Sequence, residues 1–145
     1  MYQLDIGLRT VLTADTGAGG VSTLATGGIH QMDAPEGTSP PYVIFREASD
    51  LPLYGFGNSL QADHFFYYFM GVAVDANESG PVTAAKIADR LKFILTNPTN
   101  PSLTVSGKTV VGCRFDRSYP PLKERDETGQ KWIYTRGILA EVWLA

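Results

Sequence analysis

Cysteine is nearly absent from this chain. Cys113 is the only one in 145 residues, so no internal disulfide can staple the fold and no Cys-x-x-Cys pair exists to hold a metal. It falls in an apolar segment that reads as strand, which marks it as a buried thiol. Histidine is almost as scarce, with His30 and His64 standing far apart. A structural zinc site takes about four nitrogen or sulfur ligands, typically in paired spacings. No HxxxH or HExxH is present, and a metal site would have to be assembled from scattered carboxylates. Charge is also sparse, at 19 % of residues with a net of −3 and no basic cluster, so the footprint of a nucleic-acid binder is missing. No apolar run reaches the roughly 20 residues of a membrane span. The N-terminus lacks a basic stretch followed by an apolar one, so neither a membrane partner nor a signal peptide is expected. The composition fits synthesis in a reducing cytoplasm.

The motifs of catalysis are missing as well. Gly17-Ala18-Gly19-Gly20 invites comparison with a phosphate-binding loop, but it lacks the Gly-Lys-Ser/Thr ending that sets a lysine on the phosphates and follows no convincing strand. Ser22, Ser59, Ser79 and Ser102 have no nucleophile-elbow context. Cys113 and a distant histidine could form a nucleophile pair, but strand burial argues against it. Asp63, Asp75, Asp89, Asp116 and Glu141 show no pairing that spacing can certify. No catalytic residue, cofactor or metal is therefore expected.

What the chain does have is apolar content, 43 % of residues, which places it among globular proteins. Its length predicts one domain, residues 1–145. The organising stretch is 63–95. Phe65-Phe66-Tyr67-Tyr68-Phe69-Met70-Gly71-Val72-Ala73-Val74 reads as a strand that is apolar on both faces, with Phe66, Tyr68, Met70, Val72 and Val74 on one and Phe65, Tyr67, Phe69 and Ala73 on the other. A half-exposed strand would alternate with polar residues, so both faces need cover. Asn77-Glu78-Ser79-Gly80-Pro81 reads as a turn. Residues 82–95 then follow the helical rule, with Ala84, Ile87, Ala88, Leu91, Ile94 and Leu95 on one stripe. Pro81 suits the first turn, and Asn97-Pro98 supplies the stop. Phe93 breaks the pattern, projecting from the polar face beside Val82 and Lys86.

On the N-terminal side, Leu4, Leu8, Val11 and Leu12 share a helical face. Tyr2, Leu4, Ile6 and Leu8 also alternate, but helix is the favoured reading. A helical turn around 21–25 and a brief strand at 29–32 follow. Pro35, Gly37, Pro40 and Pro41 provide turn chemistry, and 42–47 is a short strand. Residues 48–62 read as a long apolar loop, with Leu51, Leu53, Tyr54 and Phe56 set among Pro52, Gly55 and Gly57. Such a loop is either functional or folded over its own core. Strands are expected at 109–116 and 131–143. Between them, 117–130 reads as a long connection or protruding arm whose charge run, Lys123-Glu124-Arg125-Asp126-Glu127, is a solvated tip.

Gly27-Gly28-Ile29-His30, Ala34-Pro35-Glu36-Gly37 and Pro40-Pro41-Tyr42-Val43-Ile44-Phe45, in that order, resemble the tail-terminator or tail-completion proteins of long-tailed bacteriophages. The order of later segments is similar too, including the Ala-x-x-Ile-Ala period at 84–88. Residues 16–20 depart from the pattern, being richer in glycine than the family's second helix, and the connection at 120–129 is long. The resemblance implies a non-enzymatic virion subunit, assembled in the host cytoplasm, that forms a homo-oligomeric ring, usually a hexamer. Such a ring caps the tail tube and joins it to a head-completion or connector protein, with DNA passing through its lumen and no sequence-specific nucleic-acid contact.

The expected fold is α+β, a mixed or antiparallel sheet of about four strands with helices mainly on one face. Two apolar features have no obvious place inside one subunit, and apolar surface clusters mark interaction sites. The candidate subunit interface is therefore the 51–56 segment (Leu51, Leu53, Tyr54, Phe56) meeting the polar face of the second long helix (Lys86, Arg90, Phe93) on a neighbour. The alternatives are another head–tail connector or minor tail protein or, in a different class, a small ligand-binding or enzymatic domain with an aromatic pocket.

Overall fold

A computed structural model describes residues 2–54, 60–74, 80–96 and 103–145, with side chains for these except 50–54 and 60–62. The element order is α1 (Tyr2–Ala14), α2 (Val21–Leu24), β1 (Ile29–Gln31), β2 (Tyr42–Tyr54), β3 (Leu60–Val74), α3 (Gly80–Thr96), β4 (Val110–Ser118), β5 (Leu122–Arg125) and β6 (Trp132–Leu144). The class is α+β. One six-stranded sheet runs β1-β2-β3-β6-β4, and β5 also pairs with β6. Among the described residues β1 and β2 pair in parallel, and the other strand pairings are antiparallel.

The helices form where the apolar period is 3.6. Leu4, Leu8 and Leu12 are fully buried on α1. On α3, the whole stripe of Ala84, Ile87, Ala88, Leu91, Ile94 and Leu95 is buried. Both helices serve the same side of the sheet, where they meet Phe45, Phe65, Tyr67, Phe69, Ile138, Ala140, Val142 and Leu144 in one core cluster. Gly71 sets how closely α3 approaches. A Cβ there would stand 2.7 Å from Ile87 Cγ2, so any side chain would lift the helix off the central strand.

Among the described residues, no helix covers the opposite face of β3. Phe66, Tyr68, Met70 and Val74 are half-buried there, and only Val72 is fully enclosed. The two apolar faces read from the sequence are therefore covered unequally, one by helices and the other by side chains lying along the sheet.

Three expectations change. The sheet has six strands where about four were expected: the brief strand read at 29–32 joins it as the parallel β1, and β5 lies in a segment read as a connection. The apolar loop at 48–62 is largely strand: β2 runs on to Tyr54 and β3 begins at Leu60. Proline and glycine in that stretch argued for a loop, but a long register with β3, from Tyr42 opposite Val72 to Tyr54 opposite Leu60, overrides local propensity. A register shift between Glu47 and Ser49 absorbs the irregularity. The 117–130 arm, finally, is tied into the sheet. β5 pairs with the first part of β6, from Leu122 opposite Thr135 to Arg125 opposite Trp132. It thus continues along the edge that β4 begins.

The burial of α3 predicts the cost of truncating it. Leu91→Ala should lower unfolding stability by about 2–5 kcal/mol, the usual range for removing a buried leucine side chain. Denaturant unfolding checks this, and an unchanged midpoint would mean that the helix packs on another face.

Candidate functional site

Three residues of the expected interface lie in the last part of β2. Leu51 stands opposite His64 in the strand register, Leu53 opposite Ala62 and Tyr54 opposite Leu60. Phe56 lies outside the described residues. The other three, Lys86, Arg90 and Phe93, come together on the outer face of α3. With Asp89, Gly19 and Leu24 they line a shallow groove between α3 and the segment joining α1 to α2. Phe93 is 47 % exposed and Val82, on the same face, 53 %.

Arg90 is paired within its own subunit. Its Nε donates to Asp15 Oδ2 at 2.9 Å and its Nη2 to Asp15 Oδ1 at 2.7 Å. This fork-to-fork pairing is the strong form of an ion pair. Asp15 Oδ2 also accepts the backbone N–H of Val21 at 2.7 Å, satisfying one of the orphan donors at the start of α2, where Gly20 has no side chain to do so. The segment between is tightly packed, since a Cβ on Gly20 would fall 2.3 Å from the Asp15 carbonyl oxygen. The Arg90 guanidinium lies 4.8 Å from the centre of the Phe93 ring. The apolar anchor thus rests on a cation that is itself locked in place. Spacing on α3 marked Phe93 and Arg90, but nothing in the sequence marked Asp15 as the partner 75 positions away.

A second surface lies on the other face of the sheet. On the helix-free face, His64 lies 4.5 Å from Phe66 and 4.9 Å from Trp143, centre to centre. Arg114 covers the Trp143 ring at 5.3 Å. Beneath them Glu141 is only 4 % exposed. Arg114 Nη2 donates to its Oε2 at 2.9 Å, and His64 Nε2 lies 3.3 Å from the same oxygen. A buried carboxylate needs such partners, and the register provides them: His64 stands opposite Trp143, and Arg114 opposite Glu141. Further along, Tyr68 meets Tyr119 edge-on at 4.7 Å and lies under Arg46 at 5.7 Å. Burial raises the Tyr68 phenol above its usual range. The sign of this surface in the sequence was the second apolar parity of β3; its charged members come from other strands.

Chemistry at Cys113 is closed off by its position. It packs against the core on the helix-covered side, and burial pushes its thiol up to about 12, far from the thiolate a nucleophile needs. His64 lies on the opposite face, so the two cannot pair. Among the described residues no group of three or more His, Cys, Asp or Glu converges to hold a metal ion, and no helix is long and apolar enough to cross a membrane.

The fold is that of a known virion chain. No protein-family model and no curated protein sequence matches. Among solved structures, a chain from the "Virion of native gene transfer agent (GTA) particle" superposes with a TM-score of 0.63 at 13 % identity, covering 99 % of this chain and 98 % of that one. At that identity the likeness establishes a shared fold over essentially the full length of both chains.

The Asp15–Arg90 pair predicts a pH response. The Arg90 hydrogen bonds hold the Asp15 carboxyl below its ordinary value of 3.8, with the Val21 N–H adding to the effect against the opposing cost of burial. Its stabilising contribution is therefore complete above pH 3.8 and is lost as pH falls through the lower folded-state value. Arg90→Ala should cost about 1–3 kcal/mol at neutral pH, the range for charged hydrogen bonds, and flatten that acid limb. Unfolding curves between pH 2 and 7 would reveal it; an unaltered acid limb in Arg90→Ala would mean that the pair does not stabilise the fold.

Proposed function

We propose that this protein is a structural virion component, a ring subunit that caps a phage tail tube and forms the surface joining it to the head. The observation that carries the reading is the end-to-end match in fold with a chain of a virion particle. The ordered segments from Gly27 to Phe45 that resemble tail terminators point the same way. The mechanism is geometric. Heterologous contacts that close into a ring end an otherwise open stack, leaving one face for the tube and the other for the connector.

The α3 groove is the receiving surface in this reading. Phe93 is the apolar anchor, and Lys86, Asp89 and Arg90 form a polar rim that fixes orientation more than affinity. The occupant is the 51–56 segment of the neighbouring subunit, with Leu51, Leu53, Tyr54 and Phe56. The anchor is exposed and supported from below, so it can be changed without disturbing the core.

Two experiments test the proposal. Removing the protein from an infected cell should give tails of uncontrolled length that do not join heads, as seen in electron micrographs; normal joined tails would overturn the reading. Phe93→Glu should change unfolding stability by no more than about 0.5 kcal/mol, as for other surface sites, yet fail to restore capping. A Phe93→Glu chain that caps tails normally would remove the α3 groove from the interface.

A further inference from the structure

The two long edges of the sheet differ in charge. One edge consists of β1 and the part of β2 that β1 leaves unpaired, since β1 covers only Val43 to Phe45, and residues 32–41 join the two. From Ile29 to Tyr54 this edge carries Asp33, Glu36, Glu47 and Asp50 against a single cation, Arg46. The other edge is formed by β4 and β5 in tandem along β6. From Lys108 to Arg125 it carries Lys108, Arg114, Arg117, Lys123 and Arg125. Its only acids are Asp116 and Glu124. In a chain whose overall charge is −3, one edge is thus acidic by three charges and the other basic by three.

Strand direction adds a second argument. β2, β3, β6 and β4 alternate in direction, each antiparallel to the next. The two edge strands, β2 and β4, therefore run in opposite senses. A second copy placed beside the first by rotation about an axis along the strands would set its β2 antiparallel to the first copy's β4. No subunit has to be turned over. Among the described residues no strand pairs with the outer side of β4, or of β2 beyond Phe45. Exposed apolar side chains sit on both edges: Val111 at 63 % and Leu122 at 54 % on the basic one, Met32 at 64 % on the acidic one.

We infer that neighbouring subunits meet edge to edge, the basic β4–β5 edge of one copy docking on the acidic β1–β2 edge of the next. The contact is heterologous, so each copy offers both halves and the chain of copies continues until it closes. Opposed edge charges steer the encounter and reject the two like pairings, acid on acid and base on base. Register shifts at both ends of β4, between Val110 and Gly112 and between Phe115 and Arg117, bend that edge and guard it against indiscriminate strand addition. Charge, then, is what selects the partner. This inference rests on the ring reading above and names the side-by-side contact within the ring, distinct from the α3 groove.

The test is a charge exchange on exposed residues. Arg117→Glu with Lys123→Glu reverses part of the basic edge; Asp33→Lys with Glu36→Lys reverses part of the acidic one. Circular dichroism confirms folding, and sedimentation at low salt measures self-association. Each double variant should self-associate at least about tenfold more weakly than wild type, since like-charge juxtaposition costs several kcal/mol. The chain carrying all four changes should recover wild-type assembly, its edges again being opposite. As a check independent of any variant, wild-type assembly should weaken as ionic strength rises, through screening. Rings that tolerate reversal of either edge and ignore salt would overturn the edge contact alone. A wild-type chain that stays monomeric at every concentration would overturn the edge contact and the ring reading together.

Discussion

The seat of α1 on the sheet depends on one buried carboxyl group. Asp5, on the inward face of α1 and 9 % exposed, accepts the Tyr67 hydroxyl at 2.5 Å and the Gln31 side-chain amide at 2.6 Å. Those three residues belong to α1, the central strand β3 and the edge strand β1. Burial is the main reason that the Tyr67 phenol is held far above its usual range, with the Asp5 hydrogen bond next. A buried polar group without a partner is costly, while a satisfied network in a low-dielectric interior is strong. The leucines of α1 attract it to the sheet without direction; the hydrogen bonds to Asp5 choose one seat. Once α1 is seated, Asp15 just beyond its end is placed to meet Arg90, and the Phe93 anchor has its support.

The sheet solves a problem that β3 creates. A central strand apolar on both faces demands cover twice, yet only two long helices are available and both lie on one side. The other face is closed by its own side chains. Tyr68 and Tyr119, and His64 with Phe66 and Trp143, lie against one another, and arginines cover the outermost rings. Arginine over an aromatic ring shields apolar surface while keeping its charge in water. This face can therefore stay open without being sticky. Exposed apolar atoms and charge occur together at the sheet edges and in the α3 groove.

Much of the backbone could be read directly from the chain. The α1 and α3 stripes follow from a 3.6-residue period, with Leu4, Leu8 and Leu12 or Ile87, Leu91 and Ile94 spaced to meet one surface. The β3 core, β1 and the final strand were legible for similar local reasons. The extent of β2 was not. Pro52, Gly55 and Gly57 are turn formers by propensity, and only the presence of β3 beside it gives residues 48–54 a ladder to join. For the candidate site the balance is similar. Phe93 stood out because one apolar residue broke a clean polar face, whereas the lock beneath it joins Arg90 to Asp15 from a different element.

The sequence by itself determined which segments are helical, which strand is central and apolar, and which α3 residues point away from the core, because each of these depends on neighbours a few positions apart. Tertiary structure alone decided that both helices cover the same face, that Glu141 is buried beneath Arg114 and His64, and that acidic and basic segments lie at opposite edges of one sheet. Those outcomes depend on pairings between residues tens of positions apart. Local periodicity carries no information about such pairings, and only the simultaneous packing of all the elements selects them.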